Sequence, residues 1–305
     1  MLPHFLNSDD KFPLYAGNSL YSIVLANLPV TINRFGQSAG NQKNNLGSSE
    51  TKRGLSEQWL NWLTGFIEAD GSFPNEKDNT VSFYISQSVK NAPLIIALKF
   101  WLGFGKIRWQ HSERMIHFIV EDIPNIVILI NLINGRLRTE LKHEAFVKLT
   151  NRLNNKKHLK DNKIIIKPLN TKIDYDWLAG FTEGDGSFFI GLGNTPRSKL
   201  GVQITLNISW TQKSKKTLEF IAQEFKGAWS YNQTYKFWVY TIKRQSDVKK
   251  LLFSVFPNKF YGIKRYDFID LKLACELFKT KKHLTESGLK ILLEIKSKIN
   301  SRRTF

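Results

Sequence analysis

The chain has 305 residues, enough for two domains of ordinary size, and its 42% hydrophobic content, with 22 Phe and 8 Trp, supplies packed cores. Lys and Arg outnumber Asp and Glu by 45 to 26, a formal charge of +19 with a pI near 9.8, which favours nucleic acid or another anionic surface as partner. One cysteine, Cys275, excludes an intramolecular disulfide and a cysteine-rich zinc site; the six histidines show no metal-ligand spacing, and no phosphate-cradling glycine loop occurs.

In chain order, residues 1–54 form a leader and linker. They lack acids between Asp10 and Glu50, and 40–49 (GNQKNNLGSS) is small and polar. The apolar stretch Tyr21–Val30 has no clear period; a poor targeting segment and a translated upstream leader fit it equally. A first repeat spans 55–153. Leu55, Trp59, Leu63, Phe66 and Ile67 recur at helical spacing, with Ser56 as N-cap. Strands are expected at 80–86, 105–110 and 116–120, with a helix over 92–102 between them. His111 and His117 fall on this hairpin, where a solvated or internally satisfied imidazole is the plainer reading and a DNA contact the sharper one. The run 123–133 is broken by Pro124, Asn125 and Asn131 and is too short to cross a membrane. Residues 154–172, rich in Lys and Asn, read as the interdomain linker. The second repeat, 173–305, opens on a helix capped by Asp174 or Asp176. Its second strand alternates Val202, Ile204, Leu206 and Ile208 on one face with Gln203, Thr205, Asn207 and Ser209 on the other. Cys275, between Leu273-Ala274 and Leu277-Phe278, reads as helix packing.

The two repeats carry one motif. Residues 62–73 read WLTGFIEADGSF and 177–188 read WLAGFTEGDGSF, identical at nine of twelve positions, so the chain is an internal duplication. Gly65 and Ala69, like Gly180 and Gly184, stand four apart and share a helix face, which lets two helix backbones approach closely. Gly71 and Gly186 fall just past the last turn, where a left-handed cap is expected. Side by side, the helices bring Asp70 and Asp185 together at their C-terminal ends. The helix dipole disfavours a carboxylate there by roughly 0.3–1 kcal/mol, and two carboxylates repel. A divalent cation reverses both penalties, and Mg²⁺ suits few carboxylates, retained waters and phosphates. The plainer reading is two solvated Asp-Gly turns; the repetition weighs against it.

The segments LTGFIEADG and LAGFTEGDG resemble the LAGLIDADG homing endonucleases in their single-chain, two-motif, fungal organellar form. The similarity runs over about 55–305. It includes Ile85-Ser86-Gln87 and Asn134–Thr139 in the first repeat, and Thr211–Ile221, Tyr261–Phe268 and Lys282–Thr285 in the second.

The resemblance implies an α+β fold: two αββαββα halves related by a pseudo-twofold axis, with motif helices at the interface and two antiparallel sheets forming a DNA saddle. It implies a monomeric, mitochondrial, site-specific double-strand DNA endonuclease with no membrane association. Asp70 and Asp185 would bind Mg²⁺, for which Ca²⁺ or Mn²⁺ can substitute in binding, with the carbonyls of Ala69 and Gly184 as further ligands. Gln87 and Gln212 match the family's water-positioning polar residue, although alignment by Ile-Ser puts Trp210 in place of Gln212. Lys264 matches the active-site lysine; Arg138 and Lys142 are both candidates for its partner. Glu68 and Glu183 point elsewhere on the helix and read as structural. The expected DNA contacts are Ser82, Tyr84, Ser86, Arg108 and Gln110 in the first repeat, and Lys199, Gln203, Thr205, Asn207 and Ser209 in the second; such side chains bond base edges and phosphates, and a two-stranded ribbon fits the major groove. An intron maturase that binds intron RNA, or a DNA-binding regulator without catalysis, are the alternatives on the same scaffold; both motif aspartates are intact, which favours the nuclease.

Overall fold

The computed structural model describes residues 55–74, 80–159 and 162–300; the leader and linker of 1–54 lie outside the described residues. Helix α1 (Glu57–Asp70) starts where Ser56 Oγ accepts from Trp59 N at 3.1 Å. It runs into β1 (Gly71–Ser72), followed by β2 (Phe83–Ser88), α2 (Ala92–Leu102), β3 (Lys106–Gln110) and β4 (Met115–Val120). Then come α3 (Ile123–Ile133) and α4 (Glu140–Asn154). The second half repeats the order: α5 (Tyr175–Asp185), β5 (Gly186–Asn194), β6 (Val202–Gln212), α6 (Lys215–Glu224), β7 (Ala228–Asn232), β8 (Phe237–Ile242) and α7 (Gln245–Lys250). Helices α8 (Lys264–Lys279) and α9 (Glu286–Lys298) follow. The cap of α5 is Asp174, whose Oδ1 accepts from the backbone of Asp176 and Trp177.

Each half builds one antiparallel four-stranded sheet, in the orders β1-β2-β4-β3 and β5-β6-β8-β7. Gly71 lies opposite Ile85, and Gly186 opposite Trp210, so the sheets start at matching points beyond their motif helices. Phe83, Ile85, Ile116 and Phe118 in one sheet, and Leu206, Ile208, Trp210 and Ile242 in the other, are fully buried against helices. The period-two alternation puts the polar residues on the opposite face.

Helices α1 and α5 pack directly on each other. A Cβ on Gly65 would overlap the Trp177 carbonyl oxygen, and one on Gly180 would overlap that of Trp62. The reciprocity is that of a pseudo-twofold axis. Trp62 stacks on Phe66 at 5.4 Å and Trp177 on Phe181 at 5.0 Å, flanking the crossing alike.

One expectation changes. Gly71 (φ −72, ψ 150) and Gly186 (φ −79, ψ 155) are extended, not left-handed. Glycine is needed there because a Cβ would sit 2.6 Å from Ile67 O in the first motif and 2.7 Å from Thr182 O in the second. The αββαββα order is present in both halves, and further helices follow it, α4 in the first and α8 and α9 in the second. The linker is held against the first half: Asn154 exchanges two bonds with Ile164, Asn134 bonds Ile165 O and Lys167 N, and Asn170 N donates to Leu137 O. Among the described residues no helix is long and apolar enough to cross a membrane.

Candidate active site

Asp70 and Asp185 end α1 and α5, and the tight crossing brings them together. A Cβ on Gly184 would stand 2.5 Å from Asp70 Oδ2, so only glycine leaves room for that carboxylate. Both side chains are half-buried. Burial pushes the Asp70 carboxyl above its ordinary range, against the attraction of Lys264 and Lys142. Burial, and then repulsion from Asp70, push Asp185 up to about 7. Among the described residues neither aspartate forms an ion pair within 4.0 Å.

The surroundings repeat in both halves. Gln87 Nε2 donates to Asp70 Oδ2 at 2.7 Å, and Gln212 Nε2 donates to Asp185 Oδ2. Trp210, the competing alignment, instead buries its indole and donates to Thr182 Oγ1 at 2.9 Å. Lys264 Nζ donates to the carbonyls of Gly186 and, at 3.2 Å, Gly184. Its counterpart is Lys142, whose Nζ donates to Gly71 O. Burial lowers the pKa of both lysines, against the attraction of the acidic groups. Arg138, the other candidate, turns away: its guanidinium donates to Lys172 O and Arg136 O and lies 5.3 Å from the Trp177 ring.

Glu68 and Glu183 set these lysines in place. Glu68 accepts from Arg138 N, Thr139 N, Thr139 Oγ1 and Trp177 Nε1, pinning the entry to α4, which carries Lys142. Glu183 accepts from Tyr261 N and Gly262 N, pinning the entry to α8, which opens on Lys264. Burial raises the pKa of both, Glu183 to about 7.

The expected DNA contacts divide by exposure. Tyr84, Ser86, Arg108 and Gln110 lie on the outer face of the first sheet. Ser86 Oγ meets His117 Nδ1 at 2.8 Å, and His117 Nε2 meets Gln110 Oε1 at 2.9 Å, so the histidine organises two of those residues. Gln203, Thr205 and Ser209 occupy the outer face of the second sheet, and Lys199 is exposed in the β5–β6 loop. Two residues do not offer themselves. Ser82 precedes β2 and is 4% exposed, enclosed where the chain enters the sheet. Asn207 is 6% exposed; its Nδ2 bonds Thr205 Oγ1 over Gly191, while its Oδ1 is buried without a partner. His117 takes the internally satisfied role, and the unforeseen member is Asn91, whose amide bonds Gln87; with Gln87 on β2 and Asn91 at the start of α2, no helical spacing marks the pair in the sequence.

The donors suit a hard divalent cation: two desolvated carboxylates at the negative ends of two helices, without other cationic partners in contact. Among the described residues no group of three or more His, Cys, Asp or Glu comes together, so such an ion would need oxygens beyond side-chain carboxylates.

Comparison with known proteins agrees with the duplication. The profile of the LAGLIDADG endonuclease family matches residues 63–153 and 178–275. The chain is 29% identical over 252 residues to "Probable intron-encoded endonuclease 4" of Neurospora crassa, covering 81% of this chain and 45% of that protein. It is 27% identical to "Uncharacterized cox1 intron-2 37.2 kDa protein" of Schizosaccharomyces pombe, covering 76% of this chain and 70% of that one. A shorter match, 54% of this chain at 26% identity, is to "Intron-encoded RNA maturase bI4" of Saccharomyces cerevisiae, of which it covers 24%. The chain thus spans less than half of the Neurospora protein's length. Among solved structures, the I-LtrWI LAGLIDADG homing endonuclease bound to target DNA superposes with a TM-score of 0.62 at 24% identity, covering 80% of this chain and 99% of that one.

Proposed function

The chain belongs to the LAGLIDADG endonuclease family, and we propose from this that it is a site-specific endonuclease that hydrolyses one phosphodiester in each strand of a long, asymmetric DNA duplex. The observation that carries the reading is the convergence of Asp70 and Asp185 at the α1–α5 crossing, each with its own glutamine and desolvated lysine. Such a pair serves two scissile phosphates, and one chain supplies both halves, so the protein acts as a monomer. The halves differ at nearly every polar strand position, which suits a non-palindromic target.

Asp70 and Asp185 would hold the divalent cation, of the Mg²⁺ class, with Ca²⁺ or Mn²⁺ able to occupy the same place. The Ala69 and Gly184 carbonyls stand beside them, the latter already accepting from Lys264. When bound, such an ion lowers the pKa of water and offsets charge on the phosphate. The protein's own groups do the rest. Gln87 and Gln212 each bond one carboxylate oxygen, Oδ2, and leave Oδ1 turned to other ligands. Lys142 and Lys264 hold positive charge in a desolvated place, where it counts for more against a phosphoryl group than in water. The outward polar residues, with exposed Lys106, Arg108 and Lys199, contact bases and phosphates. The cox1 intron origin of the fission-yeast relative supports a mitochondrial site of action. A maturase role, binding intron RNA, is the second reading; the match to the yeast maturase favours it, and it is compatible with an intact nuclease site.

Strand-resolved cleavage of a target selected from a randomised duplex library tests the proposal. Asp70→Asn and Asp185→Asn should each lose cleavage by orders of magnitude in Mg²⁺ while binding duplex in Ca²⁺ at least as well as wild type, since repulsion of phosphate is reduced. One single variant can retain nicking of one strand; the double variant should retain none. Wild-type cutting of both strands by either single variant would remove the assignment.

A further inference from the structure

Asn91 stands at the start of α2, 3% exposed, between the two halves. Its Oδ1 accepts from Ile263 N at 3.1 Å, and Ile263 immediately precedes Lys264. Its Nδ2 donates to Gln87 Oε1 at 3.0 Å, and Gln87 Nε2 donates to Asp70 Oδ2 at 2.7 Å. A backbone N–H can only donate, so Ile263 fixes which way the Asn91 amide faces. Nδ2 must then meet Gln87, which must answer with its oxygen and turn its NH₂ to Asp70. The orientation of both amides follows from one backbone donor. Gly262 leaves the space for this contact, since a Cβ there would overlap Asn91 Oδ1.

Among the described residues the second half has no such device. Four residues beyond Gln212 stands Lys216, which reaches Glu140 of the first half as an ion pair of 2.5 Å, its side chains 64% and 49% exposed. An exposed pair of that kind is screened and weak, and it does not touch Gln212.

We propose that Asn91 is a positioning residue that locks the Gln87 amide onto Asp70 and ties it to the start of the helix carrying Lys264, so that the two strands are cut by unequally prepared half-sites. The inference rests on the endonuclease reading above and assigns it an internal asymmetry. With Gln87 oriented before DNA arrives, the Asp70 half pays no reorganisation at the moment of reaction, whereas among the described residues the Gln212 amide is held by Asp185 alone.

The experiment is strand-resolved cleavage by Gln87→Ala, Asn91→Ala, the double variant and Asn91→Asp, with duplex binding in Ca²⁺ and thermal melting measured on each. Gln87→Ala marks the strand served by that half. Asn91→Ala should slow the same strand by about 10- to 100-fold, leave the other within about twofold, and add nothing in the Gln87→Ala background. Asn91→Asp keeps size and the acceptor for Ile263 but removes the donor. Gln87 then turns its NH₂ to the introduced carboxylate and presents oxygen to Asp70, so this variant should be as slow on the marked strand, and it carries the test should Asn91→Ala melt below the assay temperature. Equal slowing of both strands, or wild-type cutting by Asn91→Asp, would mean that Asn91 only holds the halves together. If Gln87→Ala itself leaves both strands at the wild-type rate, it is the reading of the site, not of Asn91, that fails.

Discussion

Trp177 donates its indole Nε1 proton to Glu68 Oε2 at 2.5 Å across the helix crossing, and the pseudo-symmetric pair, Trp62 and Glu183, is not joined: Trp62 Nε1 and Glu183 Oε1 are both buried without a partner. Trp62 sits instead edge-on to Tyr261, 4.7 Å between ring centroids. The duplicated motif has kept its residues and lost one of its bonds.

The asymmetry sets the first prediction. A hydrogen bond to a buried carboxylate contributes about 1–3 kcal/mol, and its loss strands the acceptor. Trp177→Phe and Trp62→Phe delete the same atoms, but only the first breaks a bond. Denaturant unfolding should show Trp177→Phe the less stable of the two by about 1–3 kcal/mol; equal losses would mean that Glu68 is satisfied without Trp177.

The glycines of the crossing give the second. A Cβ on Gly65 or Gly180 meets a backbone carbonyl, which cannot rotate away as a side chain can. Ala at either position forces α1 and α5 apart and should cost about 1–3 kcal/mol or more. Gly193 has open space around it, so Gly193→Ala is the control that should leave the melting temperature nearly unchanged. A Gly65→Ala protein as stable as that control would overturn the packing.

The third concerns pH without metal. Asp185 is pushed up to about 7 in the folded chain, against about 3.9 for an unperturbed aspartate. Between these values the folded chain holds a proton that the unfolded chain has lost. The stability this contributes is full below about pH 4 and disappears as pH rises through about 7. Asn carries no charge to bury, so in chelator Asp185→Asn should melt above wild type at pH 8, by a margin that shrinks towards pH 5. Millimolar Mg²⁺ at pH 8 should reverse the order, because binding stabilises only the chain that keeps its carboxylate. A constant gap from pH 5 to 8 would contradict the burial of Asp185.

Asp70 and Asp185 are legible in the sequence because the motif is written twice and each copy ends on a carboxylate. The strand faces are legible from alternation, which depends only on the pleat. Lys142 is legible only as one of two candidates, because the loops between motif and lysine differ in length in the two halves; its bond to Gly71 O, the counterpart of Lys264 to Gly186 O, separates it from Arg138. Asn207 misleads for a related reason. Its outward register is as the alternation requires, but Phe189 opposite and the Thr205 hydroxyl beside it leave it 6% exposed, which no property of one strand can tell. Nor is the backbone of Gly71 and Gly186 legible, since a glycine just past a helix serves a left-handed cap and a close approach alike, and here it is the approach to Ile67 O and Thr182 O that excludes a Cβ.

The last prediction concerns base choice. Gln110 Oε1 can only accept, so His117 Nε2 carries the proton in that 2.9 Å contact. In the neutral ring Nδ1 then accepts from the Ser86 hydroxyl. With its oxygen held towards the histidine, Gln110 presents chiefly its NH₂, a donor, to the groove. The histidine takes one of the two lone pairs of that oxygen and fixes the direction of the amide, which disfavours the bidentate bond to adenine and favours a base edge that accepts, such as guanine N7 or O6 or thymine O4. Replacing His117 by Phe keeps a ring between the strands and frees the Gln110 oxygen. Adenine at the contacted position should then gain on the wild-type preference by about 1–3 kcal/mol, read by competition among duplexes varied at each position in turn. Affinity for the rest of the site and the salt dependence of binding should hold, because no phosphate contact is removed. A preference that stays unchanged in His117→Phe but collapses in Gln110→Ala would show that Gln110 reads its base without the histidine's help; a uniform loss over all positions would place His117 in the packing of the sheet.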